Sequence, residues 1–88
     1  MKLPKPPWLP PKYDDSIAFA IQALARGEAS QGQQTAALKW IIEECCRTYD
    51  LSYRPDSDRD TAFAEGKRYV GTQLVTLSKL KIEKLQEA

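Results

Sequence analysis

Apolar residues recur at helical spacing in three stretches of the chain, and no stretch reads as a strand or as an internal repeat. In the first, Ile17, Ile21 and Leu24 line one side, with Ala18 and Ala25 beside them. Asp14 or Asp15 can cap its exposed amides, and Arg26-Gly27 offers a cationic last turn followed by a left-handed stop. The second stretch opens on Ser30 with Gln33 three residues later, a capping-box spacing, and runs to about Tyr49. Its stripe is Leu38, Ile41, Ile42 and Cys45, with Trp40 to one side. A connection of about three residues makes these two helices a hairpin or a helix-turn-helix-like corner.

Residues 50–58 read as a loop with Arg54-Pro55-Asp56 as its turn, and Asp58 or Asp60 caps the third helix. That helix is expected to reach about Leu85, roughly 26 residues or about 39 Å. Phe63, Val70, Leu74 and Leu77 share one face, with Gly66 on the same side. A glycine inside a helix costs about 1 kcal/mol relative to alanine, so Gly66 and Gly71 require a reason. Close approach of another helix supplies one, either within the chain or from a second subunit. Beyond Leu77 the helix would project past the hairpin, leaving its end free or assembled.

Residues 1–12 hold Pro4, Pro6, Pro7, Pro10 and Pro11, which predicts an extended, polyproline-II-like arm ahead of a single domain at 13–88. Trp8 sits in its middle. Two readings stay open: Trp8 folds back over its own core, or the arm anchors on a neighbouring subunit or partner. The expected fold is therefore all-α, three helices with an extended Pro-rich N-terminal arm.

At 88 residues the core is thin, and small domains usually recruit disulfides, metal or oligomerisation. Cys45 and Cys46 are adjacent on a helix, point about 100° apart and cannot pair normally. Histidine is absent, which removes the commonest metal ligand and general base. Oligomerisation or docking on a larger partner is the remaining support. The Lys- and Pro-rich N-terminus carries no apolar signal-peptide core, and no apolar run is long enough to span a bilayer, so no membrane partner is expected. With free cysteines, this fits synthesis in a reducing cytoplasm. The net charge is only +1, with Lys2, Lys5 and Lys12 concentrated in the arm, which argues against a life on nonspecific phosphate contacts alone.

Asp56-Ser57-Asp58-Arg59-Asp60 matches the opening of a calcium loop, but Thr61 replaces the required glycine and Lys67 the bidentate glutamate. A solvated loop and helix cap is the better reading. Glu43 and Glu44 are neighbours on a helix and so do not share a face. Without histidine and beside two acids, neither cysteine is placed to be a reactive thiolate. A Gly-rich phosphate loop and a serine elbow are both lacking. The expectation is no enzyme, no catalytic residue, no metal, no cofactor and no small-molecule substrate. Lys79, Lys81 and Lys84 complement the dipole of a helix C-terminus, and with Lys67 and Arg68 they are the candidate stripe for nucleic acid. Gln33 and Gln34 are weaker candidates for reading adenine edges.

The run Ala62-Phe63-Ala64-Glu65-Gly66-Lys67-Arg68-Tyr69-Val70-Gly71, with Gly27 to Gln34 and Tyr53-Arg54-Pro55 before it, resembles a family of short tailed-bacteriophage proteins named after a Bordetella phage member and found in podovirus genomes. The resemblance covers about residues 27–77. It implies an origin among head, portal and packaging genes, in the host bacterial cytoplasm or the virion, and it carries no catalytic residues over. The expected function is noncatalytic assembly, with itself as a homo-oligomer or with a larger head, portal or packaging component. In that reading Trp8, Pro10 and Pro11 anchor the arm, Gly66, Val70 and Leu74 make the close helix contact, and Lys67 and Arg68 face a partner. The alternatives are a nucleic-acid-binding, small-terminase-like packaging factor using Lys67, Arg68, Lys79, Lys81 and Lys84, or a small phage inhibitor of a host protein.

Overall fold

Asp14 caps the first helix, α1 (Asp15–Ala25), by accepting a 2.9 Å hydrogen bond from the Ile17 amide. The computed structural model describes residues 6–81 of the chain. At the other end of α1 the chain turns through Gly27, whose φ of +72° lies in the left-handed region that glycine enters without steric cost. There the Glu28 amide donates to the Ala23 carbonyl at 2.8 Å and the Gly27 amide to Leu24 at 3.1 Å, satisfying carbonyls that the helix end leaves open. The reciprocal capping box of Ser30 and Gln33 starts α2 (Gln31–Trp40): the Gln33 amide donates to Ser30 Oγ, and the Ser30 amide to Gln33 Oε1.

Helix α2 does not continue to Tyr49. It widens into a single π turn, Ile41–Cys45, in which the Cys46 amide donates to the Ile41 carbonyl five residues back. Arg47 then takes a positive φ of 51°. Thr48 closes the corner, its amide and hydroxyl both donating to the Ile42 carbonyl at 3.2 and 2.8 Å. The side chain thereby replaces the helical bonding that the backbone abandons, which is how threonine competes with regular structure. After a turn in which the Ser57 amide donates to Arg54 O, Ser57 caps α3 (Asp58–Lys79), its Oγ accepting from the Asp60 amide. The cap is thus Ser57, with Asp58 and Asp60 inside the first turn. Helix α3 ends at Lys79, because Leu80 is extended at φ −68° and ψ 134°; the expected continuation to Leu85 falls largely outside the described residues.

The architecture is all-helical, a hairpin of α1 and α2 with a long C-terminal helix. Among the described residues, α1 packs on α2, and α3 packs on the π turn, its backbone close to neither α1 nor α2. The core is correspondingly slight. Ala20 and Ala23 of α1 meet the α2 side that buries Ala37, while Ile42, Cys46 and Thr48 at the end of the hairpin meet the side of α3 that buries Ala64 and Gly71. No large side chain is fully buried among the described residues. Small residues let backbones approach, but each alanine methyl contributes only about 0.8 kcal/mol of transfer energy.

Candidate interaction surface

The close backbone approach expected of α3 is present, at Gly71. A Cβ built there would lie 1.7 Å from Thr48 Oγ1 and 2.9 Å from Cys46 Cβ, so only glycine fits against the corner. Gly66 makes no such contact: nothing lies within 4 Å of a Cβ at that position. Of the two glycines, Gly71 thus makes the close approach within the chain and Gly66 does not. Ala64 and Gly71 are buried and Val75 is half-buried, whereas Phe63, Val70 and Leu77 are 49%, 51% and 64% exposed. At 3.6 residues per turn, the buried side of α3 is rotated by about 100° from its bulky apolar stripe. Leu74 lies between the two and is half-buried.

That stripe runs along α3 with little charge upon it. Tyr69, on its flank, is also largely exposed. Lys67 borders it, and its ammonium donates to the Pro7 carbonyl at 2.7 Å and sits 6.0 Å from the Phe63 ring centroid, a cation–π distance. Lys67 is thus occupied within the chain. Arg68 is exposed and turned about 100° further round, loosely paired with Glu65 at 3.8 Å. Lys79 and Lys81 are exposed, and Lys84 lies outside the described residues. Helical geometry puts Arg68 and Lys79 on one side of α3 and Lys67 on another, so these cations do not form the single stripe expected of a nucleic-acid face.

The described part of the arm, residues 6–12, lies back against the helices. Leu9 N–H donates to Pro6 O in a tight turn, Pro7 is buried, and Trp40 Nε1 donates to the Lys12 carbonyl at 2.8 Å. The residue that folds inward is Pro7. Trp8 is 59% exposed, Pro10 is exposed and Pro11 is half-buried. Between the arm and the corner lies an open cavity of about 480 Å³, bordered by Leu9, Lys12, Glu44, Arg47, Leu51 and Arg54. Its charges are largely spoken for: Arg47 pairs with Asp50 at 2.7 Å and Glu44 at 3.4 Å, and Arg54 Nη1 donates to the Leu51 and Ser52 carbonyls.

Cys46 is buried, and desolvation first, then the neighbouring Cys45, push its thiol above the ordinary value, with Lys67 pulling weakly the other way. A raised thiol is a poor nucleophile at neutral pH. Among the described residues no three His, Cys, Asp or Glu side chains converge as metal ligands, and no helix is long and apolar enough to cross a membrane.

Thr48 was not singled out from the sequence, although it forms half of the tightest contact. Its only signal was a β-branched hydroxyl residue past the last apolar position of a helix, a common arrangement with many outcomes. No protein-family model matches the chain, and neither a curated protein nor a solved structure is similar to it. The phage resemblance of Ala62 to Gly71 accordingly rests on those residues themselves.

Proposed function

We propose that this chain is a noncatalytic phage protein that assembles with itself or with a larger head, portal or packaging component. The observation that carries this reading is the bulky stripe of Phe63, Val70 and Leu77, left open on α3 while the helix packs through its small residues. A contiguous apolar face on so small a domain marks an interaction surface more often than an accident of composition. The alanine-lined core makes the same demand, since a domain with little internal burial gains stability from a partner. The phage setting comes from the resemblance of the same helix.

The test is molar mass by light scattering on a sizing column at low and high salt, alone and mixed with tailed-phage head, portal and packaging proteins. A defined complex that persists at high salt supports assembly through apolar faces. A 10.0 kDa species that co-elutes with none of them sinks the proposal. A complex that forms only with DNA and dissolves steeply with salt would instead identify a packaging factor that grips phosphates.

A further inference from the structure

The exposed stripe of α3 is symmetric about Val70. Phe63 and Gly66 lie seven and four residues before it, and Leu74 and Leu77 lie four and seven after it. We propose that α3 pairs antiparallel with α3 of a second copy, centred on Val70; this rests on the assembly reading above and names its partner and surface.

A two-fold axis through Val70 sets Val70 against Val70 and Phe63 against Leu77. It also sets Leu74 over Gly66, where the space a side chain would occupy is open. The two positions four residues from the centre are thus complementary, one large and one absent, as interdigitating helices require. A parallel pair would stack Phe63 on Phe63 and Gly66 on Gly66, a crowded layer beside a void, and would align the helix dipoles unfavourably. Charge agrees with the antiparallel choice. Lys67, already donating to the Pro7 carbonyl, faces Gln73, so no like charges meet near the centre. Arg59 lies at the exposed N-terminal end of the stripe, with Asp60 beside it in sequence, and Lys81 lies past the end of the helix. From their exposure, Phe63, Val70 and Leu77 would remove about 350 Å² per copy from water, about 700 Å² in all, the size of a weak, transient interface. A pair of that size is weak and transient, populated chiefly at high protein concentration.

Sedimentation or light scattering between about 5 and 500 μM should show the mass of the wild-type chain rising from 10.0 kDa towards twice that value. Gly66→Leu fills the pocket that Leu74 of the second copy needs, while on the isolated helix it meets nothing and improves helix propensity. It should therefore weaken self-association at least tenfold with helical content unchanged or increased. Val70→Cys, in a Cys45→Ser background, should form a disulfide-linked dimer on mild oxidation at concentrations where a Thr76→Cys control does not. A wild-type chain that stays monomeric throughout overturns the α3 pair, while docking on a larger component is judged separately by the co-elution experiment. A dimer whose affinity Gly66→Leu leaves unchanged, or that Val70→Cys does not link, also overturns it and leaves assembly through another face standing.

Discussion

Replacing Gly71 by alanine adds one methyl where the structure has no room for it. The new Cβ would stand 1.7 Å from Thr48 Oγ1, 2.9 Å from Cys46 Cβ and 3.0 Å from Thr48 Cβ. Two of those neighbours are Cβ atoms, fixed to the backbone, so a rotamer change cannot clear them. Rotating Thr48 would also break the 2.8 Å bond that its hydroxyl donates to Ile42 O. Overpacking of this kind costs about 1–3 kcal/mol, and a lost intramolecular hydrogen bond adds about 1. Against this stands about 1 kcal/mol of improved helix propensity. The balance is a loss of about 2 kcal/mol, a fall in Tm of about 8–16 °C for a domain of this size.

Urea unfolding followed by far-UV circular dichroism measures this directly, at low micromolar protein so that self-association does not contribute. Gly66→Ala is the matched control: the same substitution in the same helix meets nothing, and should stabilise by up to about 1 kcal/mol. Thr48→Ala removes the hydroxyl in the way, so the double variant with Gly71→Ala should be less unstable than the two single losses added together, by about 1 kcal/mol. Full relief is not expected because Cys46 Cβ stays where it is. A Gly71→Ala chain as stable as wild type, or more stable, would refute the reasoning, since it would mean that α3 does not press on the corner.

Three further outcomes follow from the caps and corners. Arg47→Gly should stabilise by about 0.5–1 kcal/mol in the same urea assay, because a left-handed residue with a side chain costs about 1 kcal/mol and the exposed pairs with Glu44 and Asp50 return little; a lower midpoint would show that those pairs hold the turn. Ser30→Ala should cost about 1 kcal/mol by removing the reciprocal cap of α2, and equal stability would mean that water caps the helix as well. Asp14 titrates below its ordinary value of 3.8, chiefly because the Ser16 hydroxyl and then the Ile17 amide donate to its carboxylate. A lowered folded-state value means the cap's contribution is present above about pH 4 and is lost as the pH falls through the folded value. Amide exchange at Ile17 should therefore accelerate in acid, and Asp14→Asn should flatten that dependence.

The elements legible in the sequence were those whose signals are local. Asp14, Arg26-Gly27, Ser30 with Gln33, and Arg54-Pro55-Asp56 each act on amides or carbonyls a few residues away, and each sits where its chemistry indicated. The end of α2 was not legible. Its apolar residues continue at helical spacing through Cys45, and nothing in that period shows the extra residue per turn at Ile41–Cys45. The π turn is held by Thr48 and by the approach of α3, and both belong to the tertiary structure. The course of the arm stayed open for a related reason. Its prolines fix local dihedrals but do not report that Lys67, 60 residues on, will bind the Pro7 carbonyl, or that Trp40 will bind that of Lys12.

The buried side of α3 is not the side its apolar period marks. Periodicity identifies the bulkiest side of a helix, on the premise that the largest apolar residues are the ones buried. That premise holds when a helix packs side by side with another along its length. Here α3 meets a helix end, where Cys46, Thr48 and the π turn present backbone-proximal atoms, so the contact needs residues that are small: Ala64 and Gly71. The two glycines pose the same question in the sequence, yet the structure separates them, Gly71 closing the corner and Gly66 opening a gap in the outer stripe. A helix built with a small face against its own chain and a bulky face with a vacant notch has two packing surfaces about 100° apart. The first is filled by Thr48. The second is open in the single chain, and its symmetry about Val70 matches the demand of an antiparallel copy of itself.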